Sequence, residues 1–168
     1  MAGLSTAVYS GQQGEFDVNE ILSKFGISPQ RFEYRALWGC AEPRLTKNGS
    51  INRTDLNKTD AYSAEHKLII EVKKQEGGGS KDQAFFSHLL DAVMTEDLQH
   101  IEHYILVCTG AQAYSSRGKG VKLGLKRTID FIERARKYDD SLNKCQLHVV
   151  HLEELESLLS TILQPQEK

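Results

Sequence analysis

The apolar positions of the chain follow two periods. Val18, Ile21, Leu22 and Phe25 recur at spacings of three and four. This predicts a helix over Asp17 to Phe25, with Asp17 as its cap, Glu20 as capping-box partner and Gly26 as its stop. Residues 1–15 are polar and glycine-containing and read as a loose leader. After Ser28-Pro29, the segment Arg31 to Trp38 begins with alternation and reads as a strand with one wet face. Gly39 to Lys58 reads as a loop, and Thr59 to Ser63 as a short strand. Lys67 to Lys74 is the clearest strand, rich in aliphatic side chains, and Gly77-Gly78-Gly79 ends it. Ser80 with Gln83 caps a helix to about Gln99, with Phe85, Leu89, Ala92 and Val93 on its apolar face. Tyr104 to Cys108 is continuous rather than alternating, the mark of a strand buried on both faces. Gly110 to Gly120 reads as a polar loop, Val121 to Tyr138 as a helix, Gln146 to Val150 as a strand and Leu152 to Leu163 as a closing helix.

This order predicts an α/β fold: a mixed central sheet flanked by helices, built from an antiparallel meander and then crossover units. The 168 residues fit one domain and bury enough surface for a core without staples. The expected layout is a single domain over 1–168, with its core at about 17–110 and a helix-strand-helix extension over 111–168.

Composition narrows the function classes. Cys40, Cys108 and Cys145 are widely spaced and form no CxxC pair, which opposes a disulfide framework or a structural zinc site. No basic, apolar leader opens the chain, and the longest clearly apolar stretch is far shorter than the roughly 20 residues of a membrane span. A cytoplasmic protein with no membrane partner is expected. The net charge is −2, from 21 Lys and Arg against 23 Asp and Glu, yet it is segregated. Between Arg117 and Lys137 eight positive residues face two negative ones, a local +6. A solvated helix face explains such a run; so does a surface for a phosphate backbone. Arg117, Lys119 and Lys122 lead that segment. Arg44, Lys47, Arg53 and Lys58 make a second basic stretch, and Lys81 follows the glycine run.

The candidate chemistry lies on the clearest strand. A period of two puts Glu71 and Lys73 on one face, with Ile70 and Val72 on the other. A central strand that turns a carboxylate and an ammonium inward carries a cost that calls for a reason. With Asp60 alongside on the neighbouring strand, two carboxylates and a lysine converge. Helped by the Val72 carbonyl, such a set offers hard oxygen ligands to Mg²⁺, with Mn²⁺ as a substitute. It suits metal-assisted hydrolysis of a phosphodiester. Asp55 is a competitor for Asp60 and reads more simply as a turn former. His100 with His103, and His148 with His151, lack partners that would complete a metal set. The phosphate-loop pattern GxxxxGK[ST] and the GxSxG and HExxH patterns are absent.

Asp60 followed by Glu71-Val72-Lys73 at the end of Leu68-Ile69-Ile70 resembles the PD-(D/E)XK nuclease superfamily, also called restriction-endonuclease-like. Its αβββαβ core is similar to the order read from Asp17 to Cys108. The resemblance implies an Mg²⁺-dependent DNA endonuclease, with Asp60 and Glu71 as metal-binding acids and Lys73 acting on the water and the transition state. Gln75 matches a polar residue that many members keep past the lysine. Glu20 matches an extra acid on the first helix, with Glu15 as its rival. Thr59 stands where many members have proline. The Gly-Gly-Gly-Ser insert resembles type II restriction endonucleases somewhat more than other branches. Cutting both strands with one site per chain implies a homodimer, for which Leu152, Leu155, Leu158, Leu159 and Ile162 on the last helix offer an interface or, equally, core packing. The alternative is a nuclease-like module that binds DNA or a protein without catalysis.

Overall fold

The computed structural model describes residues 6–37, 44–45, 47–49, 51–52, 56–74 and 81–163, with side chains left out at 6–12, 44–45, 51–52, 81–83 and 111–112. Among the described residues, four helices and eight strands make a mixed α/β architecture. Helix α1 (Thr6–Lys24) precedes strand β1 (Glu33–Arg35). Strands β2 (Arg44–Leu45) and β3 (Ile51–Asn52) pair as a small antiparallel ladder. Strands β4 (Leu56–Lys58), β5 (Ala61–Ser63) and β6 (Leu68–Lys74) follow, then helix α2 (Lys81–Met94), strand β7 (His103–Thr109), helix α3 (Ser116–Ala135), strand β8 (Gln146–His151) and helix α4 (Leu152–Ile162).

The central sheet has the order β5-β6-β7-β8, with β5 antiparallel to β6 and the last three strands parallel. β1 pairs antiparallel with β4 and continues onto the edge of this sheet through the Gln30–Tyr62 bridge. Three steps separate Gln30 from Glu33 on one side of this ladder, and four separate Tyr62 from Lys58 on the other. One extra residue therefore bulges at Thr59-Asp60, and bulges of this kind re-aim a side chain. Thr59 is fully buried; its N–H donates to the Phe32 carbonyl at 2.9 Å, and its hydroxyl accepts from the Phe32 N–H at 3.0 Å.

The sheet separates two cores, and the period of two assigns residues to them. Leu68 and Ile70 of β6, with Ile105 and Val107 of β7, pack under Val18 and Leu22 of α1 and Leu155 and Leu159 of α4. Ile69, Tyr104, Leu106 and Val149 face Phe85 and Leu89 of α2 and Leu125 and Ile132 of α3. Leu155 and Leu159 are wholly enclosed within the protomer, so the inner face of the closing helix is core packing. No helix among the described residues is long and apolar enough to cross a membrane.

Several boundaries differ from the expectations. The first helix begins at Thr6, so most of the expected leader is helical. Asp17 lies mid-helix and accepts from the Gln13 side chain at 2.7 Å instead of capping. Gly14, which reads as a breaker, is where α1 meets the sheet: a Cβ there would lie 3.2 Å from Val72 Cγ1 and 3.3 Å from Thr109 Oγ1. The expected loop before Lys58 holds three short strands. Helix α3 starts five residues early because Ser115 caps it, accepting from the Gly118 N–H at 3.1 Å. Helix α2 stops at Met94, and a 3₁₀ turn takes up Glu96–Leu98.

The expected histidine pairs are also rearranged. His103 Nδ1 lies 3.4 Å from His148 Nε2, across β7 and β8. Burial, and secondarily His103, lowers the His148 pKa to about 4. The folded state therefore resists a proton that the unfolded chain takes up near pH 6.5, so stability is lost as pH falls from about 6.5 to 4. The effect is on the order of 2 kcal/mol after screening. Thermal melts of His148→Gln at pH 7 and 4.5 should show a smaller acid-induced drop than the wild type. An unchanged drop would show that His148 is not the group that charges.

Candidate active site

The site is built at the C-terminal half of β6. Extending the β5–β6 register by one step sets Asp60 opposite Glu71. The bulge at Thr59-Asp60 then turns the aspartate inward, and Asp60 Oδ2 accepts from the Val72 N–H at 2.7 Å. The Asp60 carboxylate thus lies beside Glu71 on the neighbouring strand, close enough for its charge to act on the Glu71 carboxyl. Glu71 is 1% exposed although it is charged in its ordinary state, and its Oε1 has no partner among the described residues. Its other oxygen lies 3.6 Å from Lys73 Nζ, and the lysine is about one-quarter exposed. Asp60, Glu71 and Lys73 thus converge as the pattern predicts, while Val72 turns toward α1.

Burial first, and the Asp60 charge second, push the Glu71 carboxyl up to about 8; Lys73 opposes the shift. The Glu71 carboxyl therefore keeps its proton at neutral pH. A divalent cation and that proton would compete for the same oxygens. The orphaned Oε1 beside a second carboxylate fits a hard cation. Mg²⁺ needs only one or two carboxylates, because it keeps several waters. Among the described residues no group of three or more His, Cys, Asp and Glu gathers at one point.

The remaining expected residues divide. Glu15 lies one residue past Gly14, on the stretch of α1 that meets Val72, and accepts from Arg31 Nη2 at 3.0 Å. Glu20 is exposed farther along the helix, and its carbonyl accepts from the Ser23 hydroxyl. Of the two, Glu15 is the one adjacent to the Gly14 contact with Val72. Lys47 is exposed in the turn between β2 and β3, and Lys58 pairs with Glu33 at 3.3 Å. Arg117 and Lys119 are exposed on the first turn of α3, past the C-terminal end of β7 and so on the edge of the sheet that holds Glu71 and Lys73. Lys122 is largely enclosed, 2.7 Å from Glu154 and 3.2 Å from His151 Nδ1, and ties α3 to the start of α4. Gln75, Arg53, Asp55, Cys40 and the glycine run lie outside the described residues, as do the side chains of Arg44 and Lys81.

A group of residues behind the carboxylates escapes the sequence reading. Asp91 of α2 is fully buried; it accepts from the Leu37 N–H at 2.9 Å, Asn57 Nδ2 at 2.8 Å and the Tyr34 hydroxyl at 3.4 Å. The Tyr34 and Tyr104 phenols are both raised by burial first and Glu71 second. His88, one turn before Asp91, lies 3.4 Å from the Tyr104 hydroxyl. Burial and the Lys73 charge lower its pKa to about 3, so it is a neutral imidazole. The only signal for this group is two polar residues on a helix with an apolar face, which reads as an ordinary wet flank.

A cleft of about 700 Å³ lined by Lys67, His100, His103 and Lys144 lies at the opposite edge of the sheet, and neither Asp60, Glu71 nor Lys73 lines it. Comparison with protein-family models, curated proteins and solved structures gives no match to this chain.

The burial of Glu71 has a stability consequence. A carboxyl raised in the folded state costs stability as pH rises from its unfolded value near 4.5 through about 8. Glu71→Gln removes that charge, and a gain of about 1–2 kcal/mol is expected at pH 8.5 in chelator, or roughly 3–6 °C in Tm. At pH 5 the two proteins should melt together. A Gln variant that melts lower at pH 8.5 would mean that the ionised carboxylate is accommodated.

Proposed function

We propose that the chain is a metal-dependent DNA endonuclease with a restriction-endonuclease-like αβββαβ core, in which Asp60 and Glu71 hold Mg²⁺ or Mn²⁺. The observation that carries this reading is the placement of Asp60 beside Glu71, its Oδ2 held at 2.7 Å by the Val72 N–H, with Glu71 Oε1 buried, beside Lys73 and unpartnered among the described residues. The order α1, β1, β4–β5, β6, α2, β7, with the strand carrying Asp60 antiparallel to the one carrying Glu71, supports it further.

A bound divalent cation supplies charge neutralisation on the phosphate and makes a water more acidic. The chain does the rest. Asp60 and Glu71 approach from adjacent strands and present oxygens from two directions. The Val72 N–H fixes the Asp60 carboxylate at 2.7 Å and sets which of its oxygens stays free. The Val72 carbonyl is an additional oxygen within the same strand. The Lys73 ammonium, partly open to solvent, orients the attacking water and stabilises charge on the phosphate oxygens. Glu15 is the acid of α1 that best completes the set, ahead of Glu20. Arg117 and Lys119, with Lys47, hold the DNA backbone by charge and carry no sequence information. The second basic stretch, Arg44, Lys47, Arg53 and Lys58, serves the same role. Two copies working together would cut both strands.

Incubation with supercoiled plasmid in Mg²⁺ or Mn²⁺ tests this reading. Nicked or linear product is expected from the wild type. Asp60→Ala, Glu71→Ala and Lys73→Ala should each lower the rate at least 100-fold with little effect on DNA binding. Cleavage that survives all three substitutions would overturn the site. Tight DNA binding by the wild type with no cleavage in either metal would favour a binding module.

A further inference from the structure

Asp91 is a fully buried carboxylate with three neutral donors and no cationic partner among them. Burying an anion in this way is costly, and its donors show what the cost secures. Leu37 N–H and Tyr34 belong to the β1 segment, Asn57 belongs to β4, and Asp91 itself belongs to α2. One carboxylate thus ties two edge strands to the helix that floors the site. Asp97, just past α2, repeats the device by accepting from the Arg35 N–H at 2.8 Å.

The tie to β4 bears on the catalytic acids. Asn57 sits three residues before Asp60, on the far side of the bulge that aims the aspartate. Beyond the bulge, Ala61 is in register with Ile70. A bulged segment has lost ladder bonds of its own, so its side-chain direction depends on how its ends are held. One end is held by the main sheet. The other is held by the Thr59–Phe32 bonds and by Asn57 on Asp91. Tyr34 and Tyr104 are both fully buried, Tyr34 with its hydroxyl on Asp91 at 3.4 Å.

We propose that Asp91 is a positioning residue: through Asn57 it fixes β4, and thereby holds Asp60 opposite Glu71 at the spacing that a shared cation needs. This rests on the reading of Asp60 and Glu71 as metal-binding acids.

The test is calorimetric titration of Mn²⁺ into the metal-free full chain without DNA. Removing the tie with Asn57→Ala should weaken Mn²⁺ binding about tenfold, the size expected when an outer partner of a ligand is lost. The reciprocal pair Asn57→Asp with Asp91→Asn re-forms the amide–carboxylate bond with donor and acceptor exchanged. It should return the affinity to within about threefold of wild type. If Asn57→Ala does not fold, Asp91→Asn alone serves, since it keeps an acceptor for Leu37 but turns an amide toward Asn57. An Mn²⁺ affinity unchanged by the substitution while the Tm falls would overturn the proposal, leaving Asp91 a packing residue only. Failure of the reciprocal pair to restore affinity would do the same. A wild type that binds no Mn²⁺ would instead remove the reading on which the proposal rests, and the proposal with it.

Discussion

The structure turns on one unfavourable placement: the Glu71 carboxyl, almost completely buried, against Asp60 and with one oxygen unpartnered. A core strand of this quality has no packing reason to point a carboxylate into the protein, and an isolated buried charge is among the costliest features a fold can carry. Lys73, at 3.6 Å, compensates only in part, because it is itself partly solvated. What remains is a site short of positive charge in a protected position. Stored strain of this kind belongs to functional centres rather than to scaffolds.

The remainder of the fold holds that placement steady. The parallel strands β6 and β7, with β8 paired alongside, give Glu71 a rigid mount, with Ile69 beneath it and Leu106 beside it. Gly14 lets α1 approach the same end of β6 closely, against Val72 and Thr109. The bulge at Thr59-Asp60 aims the second carboxylate, and Asn57 on Asp91 anchors the strand from below. Opposed to these, the N-terminal turn of α3 carries Arg117 and Lys119 on the edge where the site lies. Acidic oxygens inside and basic side chains at the rim are the charge order that a phosphate-handling surface requires.

Much of this is legible in the chain because it rests on period and contrast. Leu68 to Lys74 announces both its strand and the two faces it presents, and Asp60 follows from the short segment just before it. Other features depend on contacts between distant residues and leave no local trace. Asn57 and Asp91 are 34 positions apart, and neither stands out from its neighbours in the chain. Gly14 reads as a break, because its value is the close approach of another element rather than backbone freedom. Ser115 is followed by two glycines within five residues, and propensity alone underrates a cap that satisfies the Gly118 N–H. The histidine spacing of three misleads for the same reason: His103 meets His148 across the sheet, not its neighbour in sequence.

The central claim is that Asp60 and Glu71 share one divalent cation. Anomalous diffraction from crystals soaked in Mn²⁺ tests it most directly. One strong peak is expected between the two carboxylates, about 2.0–2.3 Å from an oxygen of each. Manganese bound elsewhere, with none between Asp60 and Glu71, would contradict it.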